Sequence, residues 1–273
     1  MTGSASEKDG NNSLIIATYN WKEALALVLA TIRAQSVLPG EVLIADDGSR
    51  DDTRELVVRE AETFPVPLRH FWQEDDGFRK SRIVNEAMAR ATGEYLIEID
   101  GDMMLHPEFV RSHLRAARRG WYIQGSRMML GEAATARTLA TRALAAGPLS
   151  PGVRNRINGI HAPFLSRFSR GEQGPIHRTR GCNISYWRED ILRVNGYNED
   201  MEGWGREDTE LVARLMNSGV RRRNLKFAAV SYHLHHGARE KDADAANLAL
   251  ALQVARDGIT RCAHGIDRHL AAE

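Results

Sequence analysis

Three short apolar runs in the first hundred residues each end abruptly in polar or acidic side chains. The runs cover residues 14–17, 41–45 and 95–99, and stretches with helical spacing separate them. Strands that alternate with helices are typical of an α/β fold with a mostly parallel sheet flanked by helices. Ligands bind such sheets beyond the carboxyl ends of the strands. We therefore expect one site to contain the residues that follow these runs, namely Tyr19, Asp47, Asp100 and Asp102.

Asp100 and Asp102 are separated by a single glycine. Alternation along a strand puts both carboxylates on one side, and Gly101 lets the backbone turn without a Cβ clash. Paired carboxylate oxygens suit Mn²⁺ or Mg²⁺ that carries phosphates. An ordinary surface turn is the alternative, because Asp-Gly-Asp is common in turns.

Two familiar phosphate-binding loops are absent from the sequence. No Gly-x-Gly-x-x-Gly follows the first strand, and there is no Gly-x4-Gly-Lys-Ser/Thr. Acidic residues at strand ends instead favour a nucleotide whose ribose and base are hydrogen-bonded and whose phosphates are held through a metal ion.

Composition narrows the class of protein. The 273 residues include 37 Lys and Arg against 36 Asp and Glu, so no nucleic-acid partner is indicated. Two cysteines fit a reducing compartment. No apolar run approaches the roughly 20 residues that cross a bilayer, and residues 1–12 are polar. We expect a cytoplasmic protein whose first 12 residues form a disordered tail.

A second acidic cluster lies downstream, at a predicted helix N-terminus. Glu207 and Asp208 follow Trp204 and Gly205, and the helix dipole there favours ionised carboxylates. An aromatic ring beside paired acids is a common way to hold a sugar. Plain helix capping by the acids and a core role for Trp204 are the alternatives.

Three histidines, His233, His235 and His236, follow a predicted strand over residues 225–230. Neutral imidazole is a good additional ligand for Mn²⁺ in a site built of oxygen. An extended chain would put His233 and His235 on one side and His236 on the other, which leaves open the histidine that faces the metal.

Residues 131–180 differ from the rest in composition, with eight arginines against two glutamates. A solvated basic insertion with two short helices explains this composition. A lid, a platform for an anionic acceptor, or a peripheral contact with the inner face of a membrane explains it equally well. The predicted organisation is a first half over 13–130, this insertion over 131–180, and a C-terminal part over 181–273.

Several motifs together resemble the family 2 glycosyltransferases of GT-A fold, in the subgroup with a galactosyltransferase-like C-terminal region. In the first half these are Leu14-Ile-Ile-Ala-Thr-Tyr-Asn20, Ala45-Asp-Asp-Gly-Ser49, Asp76-Gly-Phe-Arg-Lys80 and Asp100-Gly-Asp102. In the second half they are Arg180-Gly-Cys-Asn183 and Gly203-Trp-Gly-Arg-Glu-Asp208. The resemblance covers roughly residues 13–237. It implies that residues 13–130 form a nucleotide-sugar-binding half and that residues 181–273 form an acceptor-binding and catalytic part.

The resemblance implies inverting transfer of a hexose or N-acetylhexosamine from a UDP-sugar to a glycan or lipid-linked acceptor, in surface polysaccharide assembly. It implies Mn²⁺ or Mg²⁺ as the cofactor. On the donor side it places Ala17 and Tyr19 against the base, Asp47 on the uracil, and Arg79 or Arg82 near the diphosphate or base. Asp100 is placed at the ribose or the metal, and Gly101 at the nucleotide-sugar. Asp102 is placed on the metal, and one histidine, His233 or His236, completes the metal site. On the acceptor side it makes Asp208 the catalytic base and Glu207 an acceptor-orienting acid, with Trp204 and Gly205 lining the acceptor pocket.

Two other functions are compatible with the same fold. A sugar-phosphate nucleotidyltransferase also uses acids and Mg²⁺, but it needs a Gly-rich basic loop that Thr18 to Trp21 does not supply. A catalytically silent sugar-nucleotide-binding protein would keep the donor site alone, whereas both acidic clusters are present here.

Overall fold

The computed structural model describes residues 10–166, 176, 179–201, 203–237 and 243–270. Its strands are β1 Asn12–Thr18, β2 Glu41–Asp46, β3 Leu68–Trp72, β4 Tyr95–Asp100, β5 Met103–Leu105, β6 Trp121–Gln124, β7 Ser126–Met129, β8 Asn183–Trp187, β9 Arg221–Asn224 and β10 Val230–His233. Its α-helices are α1 Lys22–Arg33, α2 Asp51–Ala61, α3 Lys80–Ala89, α4 Phe109–Ala116, α5 Glu132–Thr141, α6 Pro163–Ser166, α7 Arg188–Val194, α8 Glu207–Asn217 and α9 Asp244–Arg256. Short 3₁₀ helices cover Arg156–Gly159 and Ile266–His269.

A seven-stranded sheet in the order β3-β2-β1-β4-β8-β6-β9 forms the centre of the molecule. The pairs from β3 to β4 are parallel, as is the pair of β6 with β9, whereas β8 runs antiparallel to both of its neighbours. Apolar clusters cover both faces of this sheet. The predicted α/β fold with a mostly parallel, helix-flanked sheet is confirmed.

A second, three-stranded sheet in the order β5-β10-β7 lies beside the first. Here β10 is antiparallel to β5 and parallel to β7. The pairing of His233 with Met103 brings the end of β10 next to the turn that follows β4. The small sheet therefore delivers the histidine segment to the acidic turn after β4.

The sequence predicts one strand over residues 121–129, and the structure breaks it at Gly125 into β6 and β7. A Cβ on Gly125 would lie 2.0 Å from Oδ1 of Asn183, so only a glycine permits this approach. The Asn183 amide donates to the carbonyls of Ser126 and Ala229, which belong to the segments around the small sheet. The break therefore transfers the chain from one sheet to the other.

The strand predicted over 225–230 is wrong. Residues 221–224 form β9 and residues 230–233 form β10, and the chain between them turns with positive φ at Phe227 and Ala229. The apolar residues 225, 228 and 229 are buried in this connection rather than in a strand. These residues are apolar because they are buried, and nothing in the local sequence indicates the turn.

The ends of two predicted segments are also informative. The predicted tail lies outside the described residues up to residue 9, whereas Asn12 is buried as the first residue of β1 and pairs with Tyr95 of β4. Within the basic segment, α5 packs on the small sheet through Ala134, and Val153 joins the same apolar cluster. Arginines 167, 170 and 178 of that segment lie outside the described residues. Within the described residues, no helix combines the length and the apolar character that a membrane span requires.

His113 of α4 generates a prediction about stability. It is fully buried, and its ring nitrogens contact Ser185 Oγ at 2.7 Å and Asn183 Oδ1 at 3.0 Å. Burial lowers the pKa of His113 to about 4. An unfolded chain binds the proton near pH 6.5, so between about pH 6.5 and 4 the unfolded state holds more protons and stability falls as pH falls.

Between pH 7 and 4 we expect the free energy of unfolding of the wild type to fall by roughly 3 kcal/mol more than that of His113→Gln. The glutamine side chain can form hydrogen bonds but does not titrate in this range. Urea unfolding at a series of pH values measures both slopes. The exposed His235→Gln serves as control, and equal slopes for the wild type and His113→Gln would refute the assignment.

Candidate active site

The carboxyl ends of β1, β2 and β4 open into a cleft of about 460 Å³. That volume lies in the range of small-molecule sites, roughly 300–1,000 Å³. The predicted donor-side and metal residues that line this cleft are Ala17, Tyr19, Asp47, Asp100, Gly101 and Asp102. The predicted acceptor-side residues and histidines that line it are Trp204, Gly205, Glu207, Asp208, His233 and His236. Residues more than two hundred positions apart in sequence therefore share one cleft.

Asp102, His233 and His236 form a compact group at one end of the cleft. One ligand atom from each lies within 4.8 Å of the other two. Nε2 of His233 and Nε2 of His236 lie 3.5 and 3.4 Å from Oδ2 of Asp102. Both histidines thus approach the acid, although an extended chain would have separated them. Because β10 ends at His233, the chain beyond it turns His236 back, and exposed His235 is not part of the group.

The chemistry of this group fits a divalent cation. The Gly237 carbonyl lies 2.7 Å from Nδ1 of His236, so this nitrogen donates and, in a neutral ring, Nε2 presents its lone pair to Asp102. A nitrogen lone pair and a carboxylate that face each other repel, and a cation bound between them removes this repulsion. Oδ1 of Asp102 and Nδ1 of His233 are buried and have no hydrogen-bond partner among the described residues. Burial lowers the pKa of His233, which favours the neutral ring that metals bind.

Asp100 lies in the same cleft but outside this group of three. Its Oδ1 accepts a hydrogen bond from Nζ of Lys80 at 2.8 Å, and that ammonium also lies 3.7 Å from Oε1 of Glu98. Burial by itself would raise the pKa of Asp100, but the Lys80 ammonium outweighs it and the pKa lies below its usual value. Asp100 is therefore held as a carboxylate that Lys80 neutralises.

The two acids at the end of β2 have separate tasks. Asp46 points inward, where it accepts from the Ser49 amide at 2.8 Å and contacts His70. Asp47 lines the cleft, and its two oxygens accept from Gln73 Nε2 at 2.5 Å and from the Arg79 amide at 3.1 Å. The Asp47 carboxylate is thus fixed in orientation before any ligand binds.

Tyr19 and Gly101 complete the wall at the ends of β1 and β4. The Tyr19 hydroxyl donates to Asp75 at 2.9 Å, and the ring is 39% exposed, so its face is available to a flat ligand. Gly101 donates to the Ala17 carbonyl at 2.7 Å, and a Cβ there would lie 2.9 Å from Oγ1 of Thr18. Only glycine lets β4 turn so close to β1.

The structure does not bring Arg79 or Arg82 to the cleft. The Arg79 guanidinium pairs with Asp76 at 3.1 Å and donates to the Glu74 carbonyl, while Arg82 is exposed on α3. The cationic side chains along the wall are Lys80, Arg127, Arg180 and Arg206. Sequence reasoning missed Arg127 because the break that creates β7 was not foreseen. Lys80 belongs to the motif Asp76-Gly-Phe-Arg-Lys80, but the resemblance placed Arg79 or Arg82, not Lys80, near the diphosphate or base.

Glu207 and Asp208 begin α8 on the opposite wall. Oδ2 of Asp208 accepts from the Gly181 amide at 2.7 Å, and Oδ1 accepts from Oγ1 of Thr209 at 3.0 Å. A Cβ on Gly181 would lie 3.3 Å from Cβ of Asp208 and 3.7 Å from Nζ of Lys80. The glycine therefore lets the second acidic cluster approach the lysine that serves the first.

Glu207 differs from its neighbour in environment. Its Oε2 is buried without a hydrogen-bond partner among the described residues. The pKa of Glu207 is raised to about 7, because burial together with the Asp208 carboxylate outweighs the Lys80 ammonium, which lowers it. Near neutral pH, Glu207 therefore exchanges a proton readily and can either accept or donate a hydrogen bond.

The profile of glycosyl transferase family 2 matches residues 13–191, which is more than half of the chain. A second profile, described as the N-terminal domain of galactosyltransferase, matches residues 165–237. The two matches meet in the stretch that carries β8, between the two acidic clusters.

Among characterised proteins, a chondroitin synthase from Escherichia coli is 26% identical over 255 residues, which cover 86% of this chain and 36% of that protein. Validoxylamine A glucosyltransferase from Streptomyces hygroscopicus subsp. limoneus is 28% identical over 235 residues, or 76% of this chain and 48% of that protein. The chain thus spans half or less of the length of these relatives.

Among solved structures, the mannosyltransferase PcManGT from Pyrobaculum calidifontis, in complex with GDP-Man and Mn²⁺, superimposes with a TM-score of 0.62 at 20% identity. The match covers 90% of this chain and 64% of that one. TarS 1–349 from S. aureus superimposes with a TM-score of 0.57 at 15% identity, covering 95% of this chain and 68% of that one. These likenesses establish the GT-A fold.

The histidine geometry predicts which substitutions weaken metal binding. Loss of a residue that merely supports a metal ligand costs roughly 10–100-fold in affinity, so Asp102→Asn and His236→Ala should each weaken Mn²⁺ binding by at least that much. Calorimetric titration with Mn²⁺ measures the effect. The matched control is His235→Ala, which leaves the His235 amide bonded to Thr135. If His235→Ala weakened binding as strongly as His236→Ala, the ligand assignment would be wrong.

Proposed function

The chain belongs to glycosyl transferase family 2, and from that premise we propose that it transfers a hexose or N-acetylhexosamine from a UDP-sugar to a glycan or lipid-linked acceptor, with inversion. The observation that carries the proposal is the convergence of two acidic groups on one cleft. Asp102 and the two histidines line one end, and Asp208 and Glu207 line the opposite wall.

The donor is assigned to the side formed by β1, β2 and β4. Asp47 offers oriented carboxylate oxygens, which suit the ring N–H of uracil, and the exposed Tyr19 ring suits the flat face of a base. Asp100 and Gly101 are assigned to the ribose. Lys80, Arg127 and Arg180 along the wall supply positive charge for the diphosphate, in place of Arg79 and Arg82.

Asp102, His233 and His236 would hold Mn²⁺ or Mg²⁺. A divalent cation bound there supplies Lewis-acid stabilisation of the charge on the departing diphosphate. Oδ1 of Asp102, which is buried without a hydrogen-bond partner among the described residues, supports this assignment.

The transfer is a single displacement. The acceptor hydroxyl gives its proton to Asp208 as its oxygen forms a bond to the anomeric carbon. The bond from that carbon to the diphosphate oxygen breaks on the opposite face, and the electron pair leaves with the nucleoside diphosphate. One base is enough, and Gly181 and Thr209 orient it by donating to both of its oxygens.

Glu207 is assigned to orienting the acceptor. A carboxyl group whose pKa lies at about 7 can donate to an acceptor oxygen or accept from an acceptor hydroxyl. Trp204 lines the cleft beside it and offers a surface on which a sugar ring can stack.

Two other functions predict different outcomes of a product analysis. A sugar-phosphate nucleotidyltransferase would release pyrophosphate from a nucleoside triphosphate, and a silent sugar-nucleotide-binding protein would bind donors without transfer or hydrolysis. Product analysis across a donor panel with Mn²⁺ separates all three. The presence of Asp208, Glu207 and Trp204 in the same cleft as Asp102 favours the transferase.

Asp208→Asn tests the base. General-base catalysis typically contributes 10²–10⁴-fold, so the substitution should reduce transfer by about that factor and leave Mn²⁺-dependent UDP binding within a few-fold. Steady-state transfer rates and calorimetry measure the two quantities. Asp257→Asn, at the exposed end of α9, is the control for loss of one carboxylate. Transfer at the wild-type rate by Asp208→Asn would remove Asp208 from this role.

We also propose that the basic segment contacts an anionic lipid surface, on which a lipid-linked acceptor would be presented. Leu149 is 92% exposed and Ile157 is 62% exposed. Arg142, Arg154 and Arg156 are exposed in the same segment, and no acidic residue occurs from 133 to 171. Exposed apolar side chains among unopposed arginines are complementary to a negatively charged membrane surface.

Vesicle flotation tests this contact. The double variant Leu149→Ser, Ile157→Ser should float less with phosphatidylglycerol vesicles than the wild type, because it buries less apolar surface. Val58→Ser removes one apolar side chain, 58% exposed on α2 and outside the basic segment, and is the control. Equal flotation of the wild type with uncharged phosphatidylcholine vesicles would contradict the electrostatic part, and an unaffected double variant would contradict the apolar part.

A further inference from the structure

Helix α9 lies beyond both family matches, which end at residues 191 and 237, yet its first turn reaches the cleft. Asp244, the first residue of α9, lines the cleft together with Trp204, Gly205 and Arg206. We call residues 203–206 the Trp204 loop. This loop leads directly into Glu207 and Asp208 at the start of α8.

A paired contact joins the end of the Trp204 loop to α9. Nε of Arg206 donates to Oδ1 of Asp244 at 2.8 Å, and Nη2 donates to Oδ2 at 3.0 Å. The two side chains are only 23% and 29% exposed. A two-pronged guanidinium–carboxylate contact fixes orientation as well as distance, because both partners are planar. Arg206 is therefore held in place by the helix.

A further contact comes from the next turn of the same helix. The side-chain amide of Asn247 donates to the Gly205 carbonyl at 3.0 Å, in buried surroundings. Residues 244 and 247 are three apart, so they lie on one face of α9. Two successive residues of the loop are thus bonded to two successive positions on one helix face.

The backbone of the Trp204 loop needs such support. Gly203, Gly205 and Arg206 all have positive φ, at 74°, 108° and 72°. Arg206 carries a Cβ, and a non-glycine residue persists in this region only when its surroundings hold it there. A Cβ on Gly203 would lie 2.7 Å from Cβ of Ala243, and a Cβ on Gly205 would lie 3.2 Å from Oδ1 of Asp244. The helix packs directly on the bare backbone of the loop.

We propose that Asp244 and Asn247 are positioning residues for the acceptor side of the reaction. They hold the Trp204 loop in its left-handed course, and through that loop they set the positions of Trp204, Glu207 and Asp208. The inference rests on the proposed function, because it takes Asp208 as the base that meets the acceptor. The bonds described above join Asp244 and Asn247 to Arg206 and Gly205, which belong to the loop on the acceptor side of the cleft.

The test compares Asp244→Asn and Asn247→Ala with Gln253→Ala, an exposed position on the same helix. A displacement of about 1 Å in a catalytic group can cost 10²-fold, so we expect kcat/KM for the acceptor to fall roughly 10–100-fold in the first two variants. The dissociation constant for UDP with Mn²⁺ should stay within twofold of wild type. Gln253→Ala should match the wild type in both quantities, and Asp244→Glu should recover part of the loss.

Hydrogen exchange supplies a readout that does not depend on activity. The amides of residues 203–206 should lose protection in Asp244→Asn and Asn247→Ala, while those of β1 and β4 keep it. Unchanged exchange in the loop, or an equal loss of UDP affinity and acceptor efficiency, would overturn the proposal. If the wild type transferred no sugar from any donor, the proposed function would fail, but loosening of the loop alone would still establish the role of α9 in holding it.

Discussion

The ammonium group of Lys80 lies between two sets of acids that would otherwise repel one another across the cleft. It bonds to Asp100 at 2.8 Å, lies 3.7 Å from Glu98, and stands next to Gly181, which adjoins Asp208. Burial opposes its charge, but Asp100, Glu98 and Glu207 raise the pKa of Lys80 well above its ordinary value. Glu98 also accepts from the hydroxyls of Tyr186 and Tyr197, so the charge is bonded into the central sheet. A permanently protonated lysine makes it possible to place donor-side and acceptor-side carboxylates around one cavity.

Topology explains why these groups meet. Parallel strands β1, β2 and β4 end at one edge, so Tyr19, Asp47 and Asp100 converge although helices separate them in sequence. The small sheet closes the same edge, because β10 pairs with β5 directly after the Asp100–Asp102 turn. Asn183 joins the two sheets by bonding to Ser126 and Ala229 from the first residue of β8. The position of the histidines thus depends on one buried asparagine as well as on strand order.

The parts of the fold that follow from local pattern were predictable. The local pattern of the sequence predicts a strand over residues 68–72 and a short helix over 188–194, and the structure has both elements with these bounds. The confluence of Asp47, Asp100, Asp102 and Asp208 was also predictable, because strand ends and motifs carry it. The break at Gly125 and the turn over 225–229 were not, since both depend on contacts with Asn183 and with the small sheet. Arg127 and the convergence of His236 with His233 follow from those long-range contacts, which no window of sequence contains.

The two sides of the cleft are built in physically different ways. Donor-side residues stand at the ends of buried, paired strands, where the ladder on both sides of β1 fixes the backbone. The acceptor side stands on a loop in which three residues have positive φ, and such a backbone is held by its neighbours rather than by a ladder. A brace outside the sheet is therefore a structural requirement there, and α9 supplies it through Asp244 and Asn247. Because these bonds join α9 to the Trp204 loop, we expect changes at Asp244 and Asn247 to alter acceptor geometry, whereas the strand ladder fixes the backbone of the donor site.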